Sequence, residues 1–207
     1  MYQCAIFDVD GTLIDTEQAV IGSLQRVLKE ELSKDFPADE LSFVLGIPGA
    51  AALSQLGIKN VEDANRKWNI YFKDYTQYIR VFPQIETTLK KLKELNVKTG
   101  IVTSKTREEL DNDFVPFALT DFIDIVVCAD DTTRHKPHPE PILKFLQDAK
   151  LRPSEALYIG DTHYDSQCAR DAGVVFGLAL WGARSPDTIL CDYKFNNPQE
   201  IVPLFIK

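Results

Sequence analysis

Short apolar runs rich in β-branched and aromatic residues alternate along this chain with stretches whose apolar positions recur every three or four residues. The runs predict core strands at Gln3–Asp8, Lys98–Thr103, Ile125–Cys128, Ala156–Gly160 and Val175–Ala179, with a weaker edge near Tyr193–Phe195. Between the later strands, Ile85, Leu89, Leu92 and Leu95, then Ile142, Leu146 and Ala149, fall at the spacing of a single buried helical stripe. Strand and helix in alternation predict an α/β fold, a parallel sheet with helices on both faces.

The first strand breaks the alternation. It is followed by helical patterning from Glu17 to Arg80 with no convincing strand. Val20, Leu24, Val27 and Leu28 mark one face of its first helix, and Tyr71, Phe72 and Tyr75 are expected to pack inside a small bundle. The chain therefore divides into a core of residues 1–15 and 82–207 and an inserted helical domain of residues 16–81, with Pro83 marking the return to the sheet.

With 207 residues, 44% hydrophobic and 26% charged, the chain is large enough for one sizeable core and a smaller appended domain. A net charge of -8, without clustered Lys and Arg, argues against a nucleic-acid surface. A small anionic substrate is still compatible, because only the local field at a site matters for that. Cys4, Cys128, Cys168 and Cys191 lack any Cys-x-x-Cys spacing and read as reduced, mostly buried thiols. The longest nearly apolar stretch, Val174–Ala183, is too short to span a bilayer, and the opening residues lack the positive start of a secretory signal. A cytoplasmic protein is expected, with no membrane partner, as a monomer or a weak homodimer joined through the insert.

In a parallel sheet, ligands gather beyond the carboxyl ends of the strands. Here each end offers polar chemistry. The first strand runs into Asp8-Val9-Asp10-Gly11-Thr12, where the two aspartates can lean toward one volume and Gly11 lets the chain bend away. Carboxylates that close repel unless a cation or proton sits between them, so the pair points to a divalent metal, an acid/base role, or both. Thr103-Ser104 follow the next strand, Lys136 lies beyond the third, and Gly160-Asp161 with Asp165 follow the fourth. Singly, each has a plainer reading: a solvated turn, Ser104 as a helix cap before Glu108, a surface lysine, and Asp161 or Asp165 as the cap of the next helix. Jointly they supply what phosphoryl transfer requires: acidic ligands for Mg²⁺, a cation against phosphate charge, a hydroxyl and a carboxylate nucleophile.

This ordered set resembles the haloacid dehalogenase superfamily: Asp8-Val9-Asp10-Gly11-Thr12 as its first motif, Thr103 as its second, Lys136 within His135-Lys136-Pro137 as its third, and Gly160-Asp161 with Asp165 as its fourth. The resemblance spans essentially the whole chain. It implies a Rossmann-like core carrying an inserted helical cap, and the Lys-Pro-x-Pro context is similar to the phosphoglycolate phosphatase branch. It also implies roles. Asp8 would attack phosphorus and form an aspartyl-phosphate, and Asp10 would protonate the leaving oxygen and later deprotonate water. Thr103 and Lys136 would hold the transferring group, with Ser104 beside them. Mg²⁺ would be bound by Asp8, the Asp10 carbonyl and Asp161, with Asp165 closing the shell directly or through water.

The cap loop Gly46, Ile47, Pro48 and Gly49 reads equally as the cap element that faces the substrate, a small phosphorylated metabolite, and as a plain interhelical turn built from Pro and Gly. Retention of Asp10 argues against a dehalogenase. No Lys or Arg occurs from Gly46 to Gly57, so the arginine of β-phosphoglucomutase-like members and the Schiff-base lysine of phosphonatases have no counterpart there. A Mg²⁺-dependent phosphatase is favoured. The alternatives are a pyrophosphatase, nucleotidase or sugar-phosphate phosphatase or mutase of the same superfamily, or a silent phosphate-binding protein. His163, beside Asp161, is read as an exposed loop residue rather than a metal ligand.

Overall fold

The computed structural model describes residues 2–206. Six strands, β1 (Cys4–Phe7), β4 (Lys98–Val102), β5 (Ile125–Val127), β6 (Ala156–Gly160), β7 (Val175–Ala179) and β8 (Tyr193–Phe195), form one sheet in the order β5-β4-β1-β6-β7-β8. Every pairing in it is parallel. The short strands β2 (Ile14–Asp15) and β3 (Arg80–Val81) pair antiparallel as a separate ribbon at the two ends of the insert.

Helices cover both faces of the sheet, and the alternation of side chains along β1 shows why. Ala5 and Phe7 belong to one apolar cluster with Ile85, Leu89 and Leu92 of α4 (Ile85–Glu94). Cys4 and Ile6 belong to a second, with Ile142, Phe145 and Leu146 of α6 (Glu140–Ala149) and Cys168 and Ala169 of α7 (His163–Asp171). All four residues of β1 are fully buried, which suits a central strand between two helical layers. The remaining core helix, α5 (Arg107–Asp113), follows β4.

The insert consists of α1 (Glu17–Leu32), α2 (Gly49–Gln55) and α3 (Val61–Phe72) with 3₁₀ turns between and after them. Leu24, Val27 and Leu28 of α1 pack with Leu53, Ala64 and Trp68 in a third cluster of their own. The Trp68 indole donates to Ser23 Oγ at 2.9 Å inside it. Of the three aromatics expected in this bundle, only Tyr71 joins it; Phe72 and Tyr75 pack instead against the main cluster, where the insert meets the sheet.

β1 has β4 on one side and β6 on the other, so connections leave it in opposite directions. That crevice at the carboxyl edge is where an open parallel sheet admits a ligand.

Candidate active site

Asp8 follows the last residue of β1, and its backbone N–H bonds to the Ile159 carbonyl at 2.9 Å, which fixes it beside the end of β6. It is 1% exposed, as deep as the core. The Lys136 ammonium reaches it from the loop before α6, lying 2.9 Å from Asp8 Oδ2 and 2.7 Å from Asp165 Oδ1. Lys136 is the ionic partner of the buried Asp8 Oδ2. Asp165 is more fully engaged. Its Oδ1 also accepts from the Tyr158 hydroxyl at 2.9 Å, and its Oδ2 accepts from the Thr162 N–H at 3.0 Å and the Thr162 hydroxyl at 2.5 Å.

Asp8, Asp161 and Asp165 place carboxylate oxygens within 4.8 Å of one another, all buried. Three carboxylates against one lysine leave negative charge unbalanced. Burial, which Lys136 only partly offsets, pushes Asp8 up to about 7, and Asp165 and Asp10 add to the rise. Burial, reinforced by Asp165 and Asp8, also holds Asp161 well above the usual carboxylate range. Asp165 goes the other way: burial opposes its charge, but Lys136, Thr162 and Tyr158 keep it below that range. A compact, buried, all-oxygen donor set with more carboxylates than cations fits a hard divalent cation such as Mg²⁺.

The raised value on Asp8 has a measurable sign. Its folded pKa of about 7 exceeds the ordinary 3.8, so in chelator-treated protein its stabilising contribution is complete below 3.8 and is lost as pH rises through about 7. Asp161 acts in the same direction. A cation binds only the ionised forms, so the melting temperature gained on adding Mg²⁺ should be larger at about pH 8 than at about pH 5.5. Thermal unfolding at both pH values, with and without the ion, reads this. A gain that is equal at both, or larger at the lower pH, contradicts it.

After Asp8 the chain turns sharply. Gly11 has φ +76°, and a Cβ there would overlap the Asp161 carboxylate. The Thr12 hydroxyl donates to Asp161 Oδ1 at 2.9 Å, while the Thr12 carbonyl accepts from the Trp181 indole at 2.9 Å. Gly11→Ala should therefore destabilise the fold by more than the ~1–2 kcal/mol of a left-handed alanine, and lower activity with it, as chemical denaturation and steady-state rates will show. Asp10 is not part of the three-carboxylate cluster. Its Oδ1 accepts from the Thr16 hydroxyl at 2.7 Å and lies 3.2 Å from the Lys105 ammonium.

A family model described as haloacid dehalogenase-like hydrolase matches residues 5–179. The chain belongs to this hydrolase family. It is accordingly an enzyme. It is 35% identical over 184 residues to a provisionally named pyrophosphatase PpaX of Caldanaerobacter subterraneus, covering 85% of this chain and 80% of that one. It is 28% identical over 203 residues to the pyrophosphatase PpaX of Bacillus anthracis, covering 96% and 94%. The crystal structure of a provisionally named phosphoglycolate phosphatase from Lactobacillus plantarum superposes with TM-score 0.90 at 29% identity, over 99% of each chain.

In this hydrolase a cavity of about 500 Å³ opens between insert and sheet, with Asp8 and Asp10 in its lining. Gly46 and Ile47 line it as well, whereas Pro48 serves as the residue before α2, its carbonyl bonded to the Ala51 and Ala52 N–H groups. Thr103 is buried at the end of β4, its hydroxyl accepting from the Lys105 N–H at 3.2 Å. Ser104 is not a helix cap: its hydroxyl donates to the Gly46 carbonyl at 2.8 Å, and Thr106 caps α5 in a reciprocal box with Glu109. Likewise the cap of α7 is Thr162, with Asp165 as the reciprocating third residue and Asp161 outside the helix. His163 is exposed, its ring tilted by 38° against that of Tyr164 with centroids 3.8 Å apart, and is not part of the carboxylate cluster.

Two groups in the site have no counterpart in the motif reading. Tyr158, wholly buried, ties Asp165 to the Val102 carbonyl at 3.1 Å and sits 3.3 Å from Lys136 Nζ. Lys105 is 8% exposed and pairs with Asp113 Oδ2 at 2.7 Å as well as with Asp10. The signals were faint: a tyrosine inside a strand and a lysine next to a hydroxyl pair.

Proposed function

We propose that this hydrolase is a Mg²⁺-dependent phosphatase acting on a small phosphate compound through an aspartyl-phosphate. The observation that carries it is the buried juxtaposition of Asp8, Lys136, Asp161 and Asp165 at the end of β1 and β6, open to the cavity through Asp8 and Asp10. Mg²⁺ held by Asp8, Asp161 and the Asp10 carbonyl would neutralise phosphate charge and keep Asp8 ionised. Asp165, already bonded through both oxygens, suits an indirect role, anchoring Lys136 and closing the shell through water.

Asp8 attacks phosphorus while the bond to the leaving oxygen breaks, and Asp10 gives that oxygen its proton. Asp10, now ionised, takes a proton from water as the water oxygen attacks the same phosphorus. The Asp8–phosphorus bond breaks, and phosphate leaves with Asp8 restored. Lys136, with Thr103 and Ser104 nearby, balances the charge on the transferring group. Closure of the insert over the cavity would exclude bulk water while this happens.

Besides Asp8, Asp10 and Lys105, the cavity lining carries Arg66 and Lys73 together with Glu62, Glu108 and Glu109, and Arg66 also pairs with Asp63 at 3.1 Å. Arg66 and Lys73 are the two side chains there that could meet a substrate whose non-transferring end is itself anionic. Both pyrophosphate, the compound named for the PpaX relatives, and 2-phosphoglycolate meet that description. A screen of pyrophosphate, 2-phosphoglycolate, sugar phosphates and nucleotides should rank the first two ahead by roughly tenfold or more in kcat/KM. A preference for sugar phosphates or nucleotides would overturn the substrate reading. Absence of Mg²⁺-dependent hydrolysis across the panel would overturn the phosphatase reading and leave a silent phosphate-binding protein.

A further inference from the structure

We infer that Lys105, braced by Asp113, is a positioning residue for Asp10, holding one oxygen of that carboxylate so that the other faces the leaving group. This rests on the acid/base role proposed for Asp10. Lys105 follows the hydroxyl pair at the end of β4 and meets Asp10 directly, while Asp113, the last residue of α5, meets Lys105. Lys105 and Asp113 are 8% and 7% exposed. A lysine so enclosed is costly unless paired, and its carboxylate contacts are Asp113 at 2.7 Å and Asp10 at 3.2 Å. The Phe72 ring, at the end of α3, lies 5.3 Å from the ammonium and covers it from the insert.

The contacts on Asp10 are one-sided. The Thr16 hydroxyl at 2.7 Å and the Lys105 ammonium at 3.2 Å both meet Oδ1. Two contacts on one oxygen restrict rotation of the carboxyl group and leave Oδ2 for the leaving oxygen and then for water. The backbone assists: the Lys105 N–H bonds to Thr103 Oγ1 at 3.2 Å, and its carbonyl accepts from the Ala129 N–H at 2.8 Å. The ammonium therefore projects from a fixed stem. Asp113 plays for Lys105 the part that Asp165 plays for Lys136.

The test uses Lys105→Met, Lys105→Arg, Asp113→Asn and Asp10→Asn in the full chain with Mg²⁺. Steady-state rates are measured on the preferred substrate, and rapid mixing is done with 4-nitrophenyl phosphate, whose leaving group departs without a proton. Lys105→Met should lower kcat roughly 10- to 100-fold with KM changed by less than about twofold. On the aryl ester it should give a stoichiometric burst of nitrophenol followed by slow turnover, because attack by Asp8 survives while water activation is impaired. Asp113→Asn should show the same signature more weakly, and Lys105→Arg should recover part of the rate.

A raised KM with unchanged kcat would make Lys105 a substrate contact and overturn the inference. So would a burst that falls in step with turnover, or wild-type kinetics in Asp113→Asn, the variant that decides the matter if Lys105→Met does not fold. Asp10→Asn separates the two levels of the argument. If it shows the burst signature and the Lys105 and Asp113 variants do not, only the positioning role fails; if it turns over like the native chain, the acid/base reading of Asp10 fails and the positioning role with it.

Discussion

Replacing Asp8 by asparagine is expected to lower turnover by about four orders of magnitude or more, equivalent to ~5 kcal/mol of lost transition-state stabilisation. An amide is a poor nucleophile and cannot carry the phosphoryl group, so the route through an aspartyl-phosphate closes. The fold should survive the change. Asp8 is buried, and burial outweighs the pull of Lys136 and raises it to about 7, so ionised Asp8 is not a source of stability before a cation arrives. Circular dichroism and thermal unfolding in chelator should therefore show Asp8→Asn at least as stable as the native chain. A fully active Asp8→Asn would remove Asp8 from the chemistry.

Lys136→Met is expected to fail in the opposite manner, losing stability together with activity. The ammonium is almost wholly enclosed, 2.9 Å from Asp8 and 2.7 Å from Asp165, and hydrogen-bonds the Tyr158 hydroxyl at 3.3 Å. Removing one partner from a buried ionic cluster typically costs about 3–5 kcal/mol, because the charges left behind have no compensation. Asp165, which Lys136 helps hold below the usual carboxylate range, would then face Asp8 and Asp161 with only its Tyr158 and Thr162 hydrogen bonds and no cation. Mg²⁺ should restore part of the loss by replacing the missing charge, so its stabilising increment should be larger for Lys136→Met than for the native chain. Denaturant unfolding with and without the ion measures both quantities. Native-like stability in chelator would mean that the lysine does not balance the cluster.

Much of this was legible because parallel sheets are local in the right places. Three of the site residues expected from the motifs stand just beyond a core strand, Asp8 after β1, Thr103 after β4 and Asp161 after β6, while Lys136 comes from the loop before α6 and Asp165 from the first turn of α7. Chain order alone then brings them to one edge. The ribbon of β2 and β3 escaped notice because two residues per strand show no periodicity, and their pairing depends on bringing Asp15 and Arg80 together across the whole insert.

Lys105 was not readable for a similar reason. Nothing local separates it from a solvated lysine; its burial follows from Asp10, Asp113 and Phe72 arriving from three different elements. Ser104 was open to reading as a cap because serine often is one, yet Thr106-Arg107-Glu108-Glu109 carries the fuller signature of a reciprocal box and takes the role. Arg66 and Lys73, two basic residues of the cavity lining, lie on α3 and just beyond it, outside the Gly46–Gly57 stretch where family likeness directs attention.

The central claim is that phosphate passes through Asp8 and that Asp10 is needed to release it. Asp10→Asn should therefore accumulate the covalent intermediate when mixed with a small aryl phosphate and Mg²⁺. Acid quenching followed by peptide mass spectrometry should locate the phosphoryl group on Asp8 in near-stoichiometric amount, and none should appear in the double variant with Asp8→Asn. Phosphate released by the native enzyme with no phosphorylated Asp8 in Asp10→Asn, or phosphorylation at any other side chain, would contradict the account.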